Sequence, residues 1–208
     1  MMTMSFMIPA RSVQLEAVLR EPAKGSPSGA VVFCHPHPAF GGTMDNRVIY
    51  RAAKAATEIG FASLRFNFRG VGESTGEFDK GIGEKEDVLS VIDWLEIKYP
   101  DIPLALVGYS FGAWVGLQTG CADSRVKTLV GLAVPLSIYD HAFLIENPKP
   151  ALYISGTRDE FCPRESLDRL TRLLPPASRV YRIEGADHFF SHQLDKVENL
   201  IMDFFTKH

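Results

Sequence analysis

Hydrophobic positions along the chain fall into short runs that switch between two periods. Val13, Leu15, Ala17 and Leu19 alternate with Gln14, Glu16 and Arg20, which predicts a half-buried antiparallel strand near a sheet edge, with residues 5–8 as its partner. Residues 30–34, 61–68, 104–108, 127–133 and 151–156 are nearly continuous apolar runs, as expected of strands covered on both faces, and residues 179–183 supply one more. Helical spacing takes over between them. Val48, Ile49, Ala52, Ala53, Ala56 and Ile59 share one face, with Asp45 as the expected cap and Gly60 as the stop. Val88, Val91, Ile92 and Leu95 mark a second helix that ends before Pro100, and residues 111–121 form a third. Leu167, Leu170, Leu173 and Leu174 stripe a fourth, opened by Pro163. Leu194, Val197, Leu200, Ile201, Phe204 and Phe205 stripe the last.

Strands alternating with helices predict an α/β fold: a mostly parallel central sheet, helices on both faces, and reactive groups at the carboxyl ends of strands. The chain of 208 residues contains no linker, repeat or low-complexity tract, so one domain over residues 1–208 is expected. A content of 46% hydrophobic residues suffices for a core without disulfides. The three cysteines, Cys34, Cys121 and Cys162, are odd in number and lack C-x-x-C spacing, which fits reduced thiols in the cytoplasm and argues against cysteine-bound zinc. A net charge of -3 offers no cationic excess for nucleic acid. The first ten residues lack the basic segment of a secretory signal, and no apolar run reaches membrane-spanning length, so neither nucleic acid nor membrane is an expected partner.

The most informative motif is Gly108-Tyr109-Ser110-Phe111-Gly112, directly after the apolar run Leu104 to Val107. A serine on a sharp strand-to-helix turn leaves no room for side chains two residues to either side, hence the glycines. Downstream, Asp159 follows the apolar run 151–156, and His188 follows the run 179–183. The order serine, aspartate, histidine differs from the orders of chymotrypsin-like and subtilisin-like proteases. A neutral imidazole suits proton transfer at neutral pH, and a carboxylate behind it fixes its tautomer. Asp187 is a rival for that carboxylate, but a residue adjacent to the histidine usually points elsewhere.

On these residues the chain resembles the α/β-hydrolase superfamily, specifically its small, lidless bacterial serine hydrolases, over nearly its whole length. Arg65 to Ser74, reading RFNFRGVGES, resembles that family's R-G-x-G-x-S turn, and Cys34-His35-Pro36-His37-Pro38 stands where the family has an H-G-x-P-type oxyanion loop. The resemblance implies Ser110 as nucleophile, His188 as general base and Asp159 as its partner, with oxyanion-hole N–H groups from Phe111 and His37. Pro36 and Pro38 have no N–H to give, and Ala39 is the other backbone candidate in that loop. Phe40, Tyr109, Phe111, Phe161, Phe189 and Phe190 flank the site in sequence; they suit an apolar acyl or aromatic group, and equally a core.

Residues 134–149 are too few for a lid; Leu136, Ile138, Tyr139, Phe143, Leu144 and Ile145 within them suit a pocket wall, a subunit contact or a short surface helix. The pair His35 and His37 lacks a third ligand, so no metal and no cofactor are expected. His192 reads as a helix-surface residue, and Asn67 and Arg69 as props of loop architecture. The expected activity is hydrolysis of small carboxylic esters, lactones or thioesters through an acyl-enzyme, by a monomer or homodimer. A serine peptidase or amidase of the same fold, or a binding protein that keeps the fold without turnover, are the alternatives.

Overall fold

The structure, a computed structural model, describes residues 2–208. Its strands are β1 (Met2–Ala10), β2 (Val13–Glu21), β3 (Gly29–Cys34), β4 (Phe61–Phe66), β5 (Leu104–Tyr109), β6 (Val126–Leu132), β7 (Ala151–Gly156) and β8 (Ser178–Ile183). The helices are α1 (Arg47–Glu58), α2 (Ile82–Lys98), α3 (Phe111–Ala122), α4 (Arg164–Leu173) and α5 (Leu194–Lys207). All eight strands join one sheet in the order β1-β2-β4-β3-β5-β6-β7-β8. Only β2 runs against its neighbours, pairing antiparallel with β1 and with β4. This is the α/β-hydrolase fold, and among the described residues no lid covers it.

Alternation along the central strands divides the core in two. Val32 and Leu106 face α2 and α3, whose Val88, Val91, Phe111 and Leu117 cover that side. Val31, Phe33, Ala105 and Val107 face α1 and α5, whose Ile49, Ala52, Val197 and Ile201 cover the other. Burial on both faces explains why these strands read as unbroken apolar runs. From β3 the chain crosses to β4 on one side and then, through α2, passes back beyond β3 to β5 on the other. A crevice opens where strand order reverses in this way, at the carboxyl ends of β3 and β5.

Several boundaries differ from the sequence expectations for identifiable reasons. The cap of α1 is Asn46, whose Oδ1 accepts from the Val48 N–H at 2.9 Å, while Asp45 is drawn aside by the Arg65 guanidinium at 2.6 Å. Strand β4 stops at Phe66 and not Phe68, because the Phe68 N–H is taken by the His35 ring at 3.0 Å. Leu173 lies in the last turn of α4 and is exposed, so the buried stripe of that helix is Leu167 and Leu170. Pro163 stands at the cap of α4, one position before the helix.

The turn between β4 and α2 is braced by charge. Arg69 binds the carboxylate of Asp87 through Nε at 3.1 Å and Nη2 at 2.8 Å, with the Asp87 side chain fully buried. Glu84, also buried, accepts from the N–H groups of Asp79 at 2.8 Å and Gly81 at 2.7 Å, which caps α2. Asn67 takes the Met44 N–H on its Oδ1 at 2.8 Å and gives its Nδ2 to Glu16 at 2.7 Å. Removing Asp87 leaves the half-buried Arg69 guanidinium with only Glu86, 3.7 Å away, as a counter-charge. Asp87→Ala should therefore destabilise the protein by about 1.5–3 kcal/mol in urea unfolding, the usual loss for hydrogen bonds to a charged group, and a loss near zero would contradict the bracing role.

Candidate active site

Ser110 ends β5 and opens α3 with φ 55 and ψ -120, a left-handed conformation that lifts its side chain off the sheet edge. The turn closes through the Ser110 N–H to Leu132 O at 3.0 Å, and through the Ala113 and Trp114 N–H groups to Ser110 O. A Cβ on Gly108 would lie 2.4 Å from Gly112 O, and one on Gly112 would lie 2.3 Å from Cys34 O. No side chain fits at either position.

His188 and Asp159 arrive on the loops after β8 and β7. These loops touch at Gly156, where a Cβ would sit 2.2 Å from Ala186 O, and they are tied by the Arg158 N–H to Ala186 O at 2.9 Å. His188 Nε2 lies 2.9 Å from Ser110 Oγ, and Nδ1 lies 2.9 and 3.0 Å from the two Asp159 oxygens. A carboxylate only accepts, so Nδ1 carries the proton and Nε2 is free to accept from the serine hydroxyl. The Asp159 side chain is fully buried and accepts in addition from the Phe161 N–H at 2.9 Å. Tyr109, buried beside the elbow, donates its hydroxyl to His188 O at 3.1 Å and so ties the histidine loop to β5. Sequence reasoning missed this bond, which only the register of distant loops creates.

Asp187 does not face the imidazole. Its Oδ1 accepts from the N–H groups of Phe189 at 3.1 Å and Ser191 at 2.9 Å, and these bonds, that to Ser191 foremost, hold its pKa below the usual carboxylate range. His192 is not on a helix: it sits at φ 61 in the loop before α5. The N–H groups of Phe111 and His37 donate to no acceptor among the described residues.

His35 is fully buried, and both its ring nitrogens are engaged: Nδ1–H donates to Pro36 O at 2.7 Å and Nε2 accepts from the Phe68 N–H. It anchors the loop after β3 and has no nitrogen left for a metal.

A cleft of about 560 Å³ opens over Ser110. Phe40, Tyr109, Phe111, Phe161 and Phe189 all line it, together with Pro36, His37, Asn46, Pro135, Ile138, Tyr139 and His188. Phe190 does not; it is buried against α5 and Ile183 on the far side of the sheet. From the segment between β6 and β7, Ile138 and Tyr139 face the cleft while Leu144 is buried in a single 3-10 turn. A wider groove of about 770 Å³ lies at the opposite end of the sheet between Glu21–Pro27 and Lys98–Ile102, away from the serine.

The fold, the strained elbow and the Ser110–His188–Asp159 chain of hydrogen bonds define an α/β serine hydrolase without a lid. Residues 12–161 match the family described as X-Pro dipeptidyl-peptidase (S15 family), and the chain belongs to that family. A solved α/β serine hydrolase homologue from Coxiella burnetii is 33% identical, with a TM-score of 0.90 over 96% of both chains. A lidless α/β serine hydrolase from Xanthomonas campestris is 28% identical, with a TM-score of 0.90 over 99% of this chain and 94% of that one. An uncharacterised protein of Rickettsia prowazekii is 35% identical over 82% of this chain and 75% of its own length. The human mitochondrial palmitoyl-protein thioesterase is 40% identical over 78 residues, 36% of this chain and 24% of that protein. No helix among the described residues is long and apolar enough to cross a membrane.

Burial lowers the His35 pKa to about 4. The unfolded value is about 6.5, so the stability this neutral imidazole contributes is present above that pH and is lost as pH falls toward 4, by about 3 kcal/mol at the limit. An NMR titration should find the His35 ring neutral down to about pH 5, and protonation near pH 6.5 would contradict its role as a buried anchor.

Proposed function

We propose that the protein hydrolyses small, uncharged carboxylic esters and thioesters through an acyl-enzyme on Ser110. The observation that carries this reading is the Ser110–His188–Asp159 hydrogen-bond chain at the floor of a cleft lined by no Asp, Glu, Lys or Arg. Ser110 Oγ attacks the carbonyl carbon while His188 Nε2 takes its proton, and Asp159 stabilises the imidazolium. The carbonyl electron pair moves onto oxygen, which the free N–H groups of Phe111 and His37 receive; each such donor contributes roughly 3 kcal/mol to the transition state. Collapse expels the alkoxide or thiolate, which takes the proton from His188. Water then attacks the acyl carbon with His188 again as base, releasing the acid and restoring Ser110.

The neutrality of the cleft separates this activity from removal of dipeptides. An enzyme that measures two residues from a peptide N-terminus must hold an ammonium group, and this cleft presents no carboxylate for it. Glu84, the acidic residue that acts electrostatically on His37, is buried and occupied by backbone N–H groups. The thioester arm draws on the resemblance to a palmitoyl-protein thioesterase, and the ester arm on the open apolar walls.

A fluorophosphonate probe should label Ser110 in the wild-type protein and not in Ser110→Ala. Both Ser110→Ala and His188→Ala should lower kcat/KM on short phenyl esters by about 10³-fold or more. Absence of labelling together with absence of turnover on esters and thioesters would leave a binding protein. Faster cleavage of X-Pro anilides than of phenyl esters would replace the esterase reading with a peptidase.

A further inference from the structure

His37 has a second feature that its backbone role does not use. Its Nδ1 accepts from the Ala39 N–H at 3.1 Å, where the loop turns through Pro38–Phe40. A nitrogen that accepts holds no proton, so in the neutral ring the proton is on Nε2. Burial lowers the pKa of this imidazole, against a smaller opposing effect from Glu84, and keeps it neutral. The ring packs against Phe78 and the buried Phe111, with centroids at 4.9 and 4.8 Å, and has the exposed Phe40 at 4.8 Å on its open side. It lines the same cleft as Ser110, and among the described residues no acceptor takes its Nε2–H.

A fixed donor in an apolar cleft rewards a ligand that offers an acceptor and penalises one that covers the donor with carbon. The other neutral polar side chains on the cleft wall differ in kind. Asn46 caps α1 through its Oδ1 and so presents its Nδ2 as a second, amide donor on the cleft wall, without ring packing around it, and Tyr139 lies stacked on Trp114 at 4.1 Å with a hydroxyl free to rotate. Among the described residues of the cleft wall, only His37 combines a tautomer set by a hydrogen bond with a ring packed against Phe78 and Phe111.

We propose that the His37 side chain selects substrate: its Nε2–H donates to an oxygen other than the scissile carbonyl, so the preferred substrates are apolar esters carrying an ether, hydroxyl or second carbonyl oxygen. This rests on the hydrolase reading of Ser110. One fixed neutral hydrogen bond corresponds to a preference of about three- to tenfold over the same ester with a methylene in place of the oxygen.

The test uses two matched pairs. Phenyl 3-methoxypropanoate against phenyl pentanoate places the oxygen on the acyl side. 3-Methoxyphenyl pentanoate against 3-ethylphenyl pentanoate places it on the alcohol side. For each pair the ratio of kcat/KM in wild type is divided by the ratio in a variant, so that intrinsic reactivity and any general loss of rate cancel. His37→Asn keeps an acceptor near Nδ1 and removes the distal donor; His37→Gln keeps a distal donor. The proposal expects a quotient of about three to ten in at least one pair for His37→Asn and near one for His37→Gln. A quotient near one in both pairs for His37→Asn overturns it.

Wild type inert toward all four esters would sink the hydrolase reading, and this proposal with it, whereas turnover of the plain esters without a quotient sinks this proposal alone. Should His37→Asn fail to fold, nitrogen-15 NMR of Ser110→Ala protein decides. His37 must appear as the Nε2–H tautomer and its proton must move with an oxygen-bearing ester but not with its methylene partner; an Nδ1–H tautomer, or equal responses, overturns the proposal.

Discussion

Contact between backbones at the elbow is the constraint on which the site depends. Ser110 occupies a left-handed conformation that costs a residue with a side chain about 1–3 kcal/mol, and the turn is retained because its surroundings leave no alternative. Gly112 lets α3 approach the carbonyls of Cys34 and His35 more closely than any Cβ would permit, and Gly108 does the same for the first turn of α3. This approach brings the end of β3 beside the start of α3. The N–H groups of His37 and Phe111, from distant parts of the chain, have no acceptor among the described residues, and both residues line the cleft over Ser110. His35, bonded to Pro36 O and the Phe68 N–H, ties the loop after β3 to the start of the turn after β4.

A second close approach sets the other half of the geometry. Gly156 allows the loop after β7 to press on the loop after β8, and the bond between Arg158 N–H and Ala186 O locks them together. Asp159 and His188 are then held by neighbouring loops rather than by long side-chain reach. Tyr109 closes the circuit by carrying a bond from the elbow strand to His188 O. Serine, imidazole and carboxylate are therefore fixed by glycine contacts and backbone bonds, while the cleft above them stays open and uncharged. That division suits a hydrolase whose chemistry is rigid and whose substrate choice rests on the walls.

Most of this arrangement was legible in the sequence because it rests on local signals. Apolar runs gave the buried strands, helical spacing gave the helices, and G-x-S-x-G gave the elbow, since each pattern records a steric need of its own neighbourhood. Features that depend on packing between distant segments were not legible. Asn46 rather than Asp45 caps α1 because Arg65 of β4 claims the aspartate, and residues 67 and 68 leave β4 because the loop after β3 competes for the Phe68 N–H. Phe190 and Phe189 are adjacent in sequence yet divide between core and cleft, a choice made by the left-handed turn at Phe190. The role of Tyr109 and the tautomer of His37 belong to the same class, because neither has a sequence signature.

In the proposed mechanism, one oxygen bonded to the carbon attacked by Ser110 sits between the backbone N–H groups of His37 and Phe111. A crystal structure of the protein phosphonylated on Ser110 tests it most directly, because the tetrahedral phosphorus stands in for the attacked carbonyl carbon. A phosphonyl oxygen is expected within about 3 Å of both nitrogens, with His188 Nε2 facing the serine oxygen. A phosphonyl oxygen turned away from both N–H groups, or bound instead by the Ala39 N–H, would contradict it.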